Sequence, residues 1–197
     1  MAIAVEHEKR RKEILEKALM VFTEDGFSDA TFQKIADRCG ITRTILYLYF
    51  KDKKEIFKYS IKQLLTSVEE GIKKIKSDNS LNSTEKITRI LLGIMGLMEQ
   101  NHQLLSVVLD YLMHPAKSSI DPETRLRRRT VRFRRILATL VMDGVKTGEL
   151  KKVNIKTADD YLYSFIESAI FQITVLKRKN IDDLKNMTVF AVRQFSV

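Results

Sequence analysis

Thr31-Phe-Gln-Lys-Ile-Ala-Asp-Arg-Cys-Gly-Ile-Thr-Arg-Thr-Ile-Leu-Tyr-Leu-Tyr-Phe50 reads as two short helices around a tight reversal. Phe32, Ile35, Ala36 and Cys39 recur at helical spacing on one face. Gly40 suits the left-handed residue that ends such a helix, and Thr42 is a good N-cap for the next. Ile41 plugs the angle between the helices, and Ala36 is small where they cross closely. Leu46 and Phe50, at i and i+4, hold the second helix against a core. That leaves Arg43, Thr44, Tyr47, Leu48 and Tyr49 facing away from it. A helix that presents its N-terminal residues outward in this manner can enter a major groove. The same residues also suit an ordinary surface hairpin of helices with exposed aromatics.

Outward from this segment the pattern stays helical, and no stretch sustains a period of two. A helix is predicted from about His7 to Asp25, with Ile14, Ala18 and Phe22 inward and a stop at Gly26. Asp52-Lys53-Lys54-Glu55 opens another like a capping box, and it continues through Phe57, Ile61, Leu64, Val68, Ile72 and Ile75. Further helices are predicted at about 83–100, 103–113, 156–179 and 181–195. Residues 103–113 are apolar on most sides, which predicts a buried helix. After a loop with Pro115, Asp121-Pro122-Glu123 opens a helix that Gly148 ends. The expected fold is all-α with about nine helices: a three-helix helix-turn-helix domain over 1–58 and a helical domain over 59–197.

Composition narrows the function. The chain has 197 residues, 44% hydrophobic and 30% charged, with 7 Gly and 2 Pro, which excludes a disordered or collagen-like chain. Cys39 is the lone cysteine, so there is no intrachain disulfide and no multi-cysteine metal site, and a reducing, cytoplasmic address is the simplest reading. Charges within residues 1–12 leave no secretion signal visible. The most apolar stretch, Tyr161 to Leu176, carries Glu167 and Gln172 and is too short to span a bilayer. The net charge of +10 is a poor guide to a nucleic-acid face, because residues 1–60 hold 12 basic and 10 acidic side chains. Much of the excess is Arg125, Arg127, Arg128, Arg129, Arg132, Arg134 and Arg135, which read as a solvated helix face, with an anion site as the alternative. His7, His102 and His114 lack metal-ligand spacing, and no catalytic, metal or cofactor constellation appears, so no enzyme, metal or cofactor is expected. Cys39, on an apolar face, reads as a buried inert thiol.

Phe22-Thr-Glu-Asp-Gly-Phe27, Thr31, Ile35-Ala36, Gly40-Ile41-Thr42 and Leu46-Tyr-Leu-Tyr-Phe-Lys-Asp-Lys53 together resemble the N-terminal signature of TetR-type transcriptional regulators, in order and spacing over roughly residues 10–57. Gly144-Val-Lys-Thr-Gly-Glu-Leu150 resembles part of that family's C-terminal half. The resemblance implies a homodimeric repressor on a palindromic operator in double-stranded DNA, released by a small-molecule effector. The competing readings are a DNA-binding protein of the same fold in nucleoid or division control, and a helical ligand-binding module that never meets DNA. By resemblance Tyr47 and Lys53 fall where the family contacts phosphate, and Thr31 where the start of the second helix meets the backbone. Gln33, Arg43, Thr44, Ile45 and Leu48 fall where members read or touch bases. Tyr49 and Lys51 complete the expected DNA set. The chemistry agrees: Arg43 can fork onto guanine, Gln33 can pair with adenine, and Ile45 or Leu48 can pack a thymine methyl. Leu48 departs from the more polar residue often seen there, and packing against a neighbouring helix is its other reading. Lys9, Arg10, Arg11 and Lys12 read as a solvated first turn or as an arm reaching phosphate.

The resemblance also implies an effector pocket in the second half. Gly93 and Gly96 remove side-chain volume beside Met95 and Met98. Tyr111, Met113, Phe133, Tyr163 and Phe165 supply soft or aromatic walls, with plain core packing as the alternative. Asp110 and Glu167 are acids in apolar helices, suited to a cationic ligand or to pairing with Arg89 or the arginines of 125–135. The expected pocket set is Met95, Gly96, Met98, Tyr111, Phe133, Tyr163 and Glu167. The helix over 156–179 is apolar on two sides. Ala158, Leu162, Phe165, Ala169, Ile173 and Leu176 face its own core, while Tyr161, Ser164, Ser168, Phe171 and Val175 form a second stripe. That stripe, with Leu184, Ala191 and Phe195 of the last helix, is the expected seam of a two-fold four-helix bundle.

Overall fold

The computed structural model describes residues 2–113 and 122–197, with side chains at 5–63, 65–66, 68–111 and 130–197. Expectations placed on Leu64, Met113, Pro115, Asp121, Arg125, Arg127, Arg128 and Arg129 lie outside the described residues or side chains. Nine helices follow one another among the described residues: α1 (Ala2–Asp29), α2 (Phe32–Cys39), α3 (Arg43–Tyr47), α4 (Lys53–Ser77), α5 (Ser83–Gln100), α6 (His102–Met113), α7 (Pro122–Thr147), α8 (Ile155–Thr174) and α9 (Asp182–Arg193). The described residues contain no strand, only an isolated bridge between Leu150 and Ser196. No described helix is long and apolar enough to cross a membrane.

The chain divides into two compact units, Met1–Glu69 and Glu70–Val197. The division falls later in α4 than the boundary expected after residue 58. The first turns of α4 belong to the first unit because they are buried there. Ile56 and Phe57 are fully buried, the Phe57 ring meets those of Phe22 and Phe27 at 4.9 and 5.1 Å, and Ser60 Oγ donates to the Leu15 carbonyl at 2.9 Å. Phe22 and Phe57 each contribute about 1.5–3 kcal/mol by leaving water. Gly26 breaks the first helix as expected, with non-helical dihedrals of φ 76° and ψ 169°, and a further short helical stretch carries the element on to Asp29.

In the second unit α5, α7, α8 and α9 share a core that includes Ile87, Leu91, Met95, Leu137, Leu140, Leu162, Ile166, Ala169, Ile173 and Val192. Arg134 on α7 is held by Asp159, at 2.8 Å, and by Asp160. Two expectations are corrected here. Only Leu104 and Tyr111 of α6 are buried among its described side chains, and Leu105, Val107, Val108 and Leu109 are half-buried, because α6 leans on α5, α7 and α8 from one side. The eighth helix ends at Thr174, not near 179. Lys177 then takes a left-handed φ of 55°, and Leu176, expected in the core, is 56% exposed.

Candidate nucleic-acid interface

The helix-turn-helix is fixed by its caps. Thr31 Oγ1 accepts from Lys34 N at 3.2 Å and opens α2. Gly40 closes it at φ 67°, ψ 35°, where Gly40 N and Ile41 N return to the carbonyls of Asp37 and Ala36 at 3.0 and 3.1 Å. These bonds satisfy the carbonyls that a helix end leaves open. Thr42 Oγ1 accepts from Ile45 N at 3.3 Å and starts α3 one residue later. Leu46 and Phe50 are buried as expected and anchor the helix.

Around that anchor the remaining side chains of α3 point to solvent. Arg43 and Thr44 are exposed, and Ile45, Tyr47 and Leu48 are large apolar groups left exposed. Leu48 is 74% exposed, so packing against a neighbouring helix is not its role. Arg43 and Tyr47 are preset: Arg43 Nη2 donates to Tyr47 Oη at 3.1 Å, and the Tyr47 ring rests on Phe32 with centroids 4.5 Å apart. Gln33 is exposed on α2 and donates to Asp37 Oδ1 at 2.7 Å. Lys51 has an exposed side chain while its amide donates to Glu55 Oε2 at 2.8 Å.

Two members of the expected set stand differently. Tyr49 is half-buried and stacks on His7 of α1 at 4.6 Å, rather than facing away from the fold. Lys53 does not project into solvent: its Nζ donates to the carbonyls of Phe27, Ser28 and Ala30 at 3.0, 2.8 and 2.8 Å. The basic turn of α1 also divides. Arg10 pairs with Glu13 at 2.8 Å, and Arg11 lies over the rings of Phe50 and Tyr59 at 5.1 and 4.4 Å, while Lys9 and Lys12 are exposed. Away from α3, Arg38 binds Glu24 through both terminal guanidinium nitrogens, Nη1 and Nη2, and holds its carboxyl below the usual range. Lys34 pairs with Asp25 at 2.9 Å. Cys39 is buried, and burial pushes its thiol up.

Arg43→Ala is expected to relax preference at one base position per half-site by about 1–3 kcal/mol, since a forked contact to guanine carries that much discrimination. Affinities for single-base variants of a bound site measure it, and an unchanged profile would remove Arg43 from base reading.

In the second unit the pocket set is only partly assembled. Phe133 and Tyr163 meet with centroids 6.1 Å apart, and Tyr163 Oη shares a hydrogen bond with Thr130 at 3.2 Å. Met95 and Tyr111 are buried, and Gly96 and Met98 are half-buried. A Cβ built on Gly93 or Gly96 would meet nothing within 4 Å; Gly93 is exposed and opens to solvent, and Gly96 is half-buried. Glu167 is exposed and is not an inward acid, and Asp110 is exposed as well. Arg134 takes Asp159 and Asp160 instead. A cleft of about 360 Å³ lies elsewhere, lined by His102, Gln103, Ser106, Ile173, Lys177 and Lys179. Among the described residues no group of His, Cys, Asp and Glu is placed to hold a metal ion.

The second stripe of α8 is open to solvent. Tyr161, Ser164, Phe171 and Val175 are exposed and Ser168 is half-buried. On α9 the expected face is corrected: Leu184 and Ala191 are buried in their own unit, in phase with Thr188 and Val192. The exposed apolar residues of α9 are Met187 and Phe190, at 60% and 68%. Phe195 is half-buried, its ring 5.9 Å from that of Tyr161.

Residues 14–59 match the family model described as bacterial regulatory proteins, tetR family. The chain is 24% identical over 170 residues to the fatty acid metabolism regulator protein of Bacillus subtilis (strain 168), covering 83% of this chain and 84% of that protein. Its fold is similar to that of a transcriptional regulator FadR from Bacillus subtilis in complex with stearoyl-CoA, with a TM-score of 0.71, 21% identity, and 92% and 96% of the two chains covered. It is similar also to a TetR transcription regulator from Haloarcula marismortui, with a TM-score of 0.78, 16% identity, and 96% and 97% covered.

Proposed function

We infer that this chain, a tetR-type bacterial regulatory protein by its residues 14–59, is a transcriptional repressor that binds a palindromic operator as a homodimer and leaves it when a small molecule binds. The observation that carries the reading is α3: a capped helix anchored by Leu46 that turns Arg43, Thr44, Ile45, Tyr47 and Leu48 outward together. Residues 1–58 are the reading head, and 59–197 hold the effector and the dimer seam. Thr31, Gln33 and Lys51 extend the contact along the DNA backbone and the groove edge. The protein works in the cytoplasm as a regulator, not as an enzyme.

The effector we propose is a molecule with a long apolar chain. The relatives named for fatty acid metabolism and the stearoyl-CoA complex support this class. So do the soft, half-buried side chain of Met98, the room beside half-buried Gly96, and the half-buried apolar residues of α6. Such a ligand would select one arrangement of the dimer and alter the spacing of its two reading heads.

Genomic fragments bound by the protein, titrated with salt, test the DNA half of this reading. A phosphate-contacting protein loses affinity along a straight line in log salt. Enrichment of one promoter site supports a repressor, whereas broad occupancy would favour a nucleoid role. For the effector half, long-chain fatty acids and their thioesters are expected to raise the melting temperature. At about 100 times the Kd the gain is roughly 2.7 kcal/mol. Gly96→Leu is expected to reduce that rise while residues 1–58 stay folded, and an unaltered response would place the chain-binding space elsewhere.

A further inference from the structure

The ammonium of Lys53 is enclosed by backbone. Its three hydrogen-bonded acceptors are the carbonyl oxygens of Phe27, Ser28 and Ala30, at 3.0, 2.8 and 2.8 Å, and its nitrogen lies 5.1 Å from the centre of the Phe27 ring. An ammonium has three donors, so this set uses all of them. The acceptors come from the stretch where α1, kinked at Gly26, runs out toward α2. Carbonyls at the end of a helix have no partner within it and carry its partial negative charge. Lys53 supplies both the donors and the charge.

Its position gives this contact a wider effect. Lys53 is the first residue of α4, and the next turn buries Ile56 and Phe57 in the core. At the other end, Ala30 directly precedes Thr31, the N-cap of α2. One side chain therefore ties the start of α4 to the exit of α1 and to the residue from which α2 departs. Because α2 turns into α3 through the fixed geometry of Gly40, the direction of α3 is set from that point. Lys51, two residues earlier, has an exposed side chain and is open to an anion.

We propose that Lys53 is a positioning residue for DNA recognition, which fixes the departure of α2 by clamping three carbonyls, and that it is not a phosphate contact. This rests on the DNA-binding reading above. The clamp also accounts for lysine over arginine: three acceptors that converge on one point suit a compact ammonium, whereas a guanidinium presents a planar fork.

The test compares wild type, Lys53→Met and Lys53→Arg, at a temperature where circular dichroism finds all three folded. Two readouts are taken: amide exchange at Lys34 and Ile35, in the first turn of α2, without DNA; and affinity against salt for duplexes selected on wild type from a random-sequence library. Both variants are expected to speed exchange at those amides about tenfold, leave mid-α1 amides unchanged, and lower DNA affinity about tenfold. The salt slope should stay as in wild type, because a lost phosphate contact would reduce it by about 0.9. If Lys53→Arg binds as wild type does while Lys53→Met loses affinity with a reduced slope, Lys53 is a phosphate contact and the proposal is overturned. Unchanged exchange in both variants overturns it as well, and so does faster exchange with unaltered affinity. A wild type that binds no duplex with steep salt dependence would remove the DNA-binding reading and the recognition role with it, while the exchange data would still decide whether the clamp exists.

Discussion

Phe171→Asp is expected to give a monomer in sedimentation at micromolar concentration, with operator affinity lower by about 10²–10⁴-fold. Phe171 is 53% exposed on α8, in line with Tyr161, Ser164, Ser168 and Val175, and α9 adds Met187 and Phe190. Exposed large apolar side chains gathered in this way are what we propose as the dimer seam. A two-fold axis lets the same patch meet itself, with the serines permitting close approach. A carboxylate there would have to lose its water without a partner, which the seam cannot repay. Separated subunits lose the pairing of two recognition helices about 34–36 Å apart, and with it the gain from binding both half-sites at once. Residues 1–58 should remain folded, as amide exchange can check. Phe190→Asp, on the exposed apolar face of α9, should reproduce the result. Dimers that persist in both variants would place the seam elsewhere.

Gly144→Ala should cost about 1–3 kcal/mol, the usual penalty for forcing atoms into a filled core. A Cβ at residue 144 would stand 2.6 Å from Leu150 Cδ1 and 2.7 Å from Ser83 Cβ. Neither neighbour is free to retreat. Leu150 is buried and its amide donates to the Gly144 carbonyl at 2.9 Å. Ser83 opens α5 and its amide donates to Glu149 Oε2 at 2.7 Å; hydrogen bonds from the Ser83 side chain and then its amide keep the Glu149 carboxyl below its ordinary range. Between them Gly148 reverses the chain at φ 77°. The stretch from Gly144 to Leu150 is thus a latch in which α7 passes close to the start of α5. Urea unfolding of the isolated variant measures the cost, and a midpoint equal to that of wild type would show that the latch yields without strain.

The helix-turn-helix was legible because local rules decide it. Thr31, Gly40 and Thr42 act through their own neighbours, and Leu46 is the inward residue of a helix too short to offer another. Where a choice between two faces depends on a distant partner, the sequence is silent. Leu184 and Ala191 are as apolar as Met187 and Phe190, and only the packing against the rest of the second unit shows which pair is turned inward. The end of α8 was misread for a related reason: neither Gly nor Pro marks it, and Lys177 adopts the left-handed turn in their place. Glu167 was placed in a pocket for being an acid among apolar residues, but helical phase puts it outside, whereas Asp159 meets Arg134. Lys53 reads, by resemblance, as a phosphate contact, and the sequence does not show that the chain brings the carbonyls of Phe27, Ser28 and Ala30 around it.

The proposed recognition helix, α3, has only five residues, Arg43–Tyr47, and Leu46 is its buried member. A helix of that length has no stability of its own in water. It exists because Thr42, Leu46 and Phe50 hold it, and those three take no part in the outward face. Substitutions at exposed positions with no structural partner typically change stability by less than about 0.5 kcal/mol. Thr44, Ile45 and Leu48 can therefore be exchanged almost without penalty to the fold. Arg43 and Tyr47, which support each other, are best exchanged as a pair. On the proposed reading of α3, a lineage, or an engineer, would move this protein to a new operator by rewriting a few adjacent codons, with the scaffold beneath left untouched.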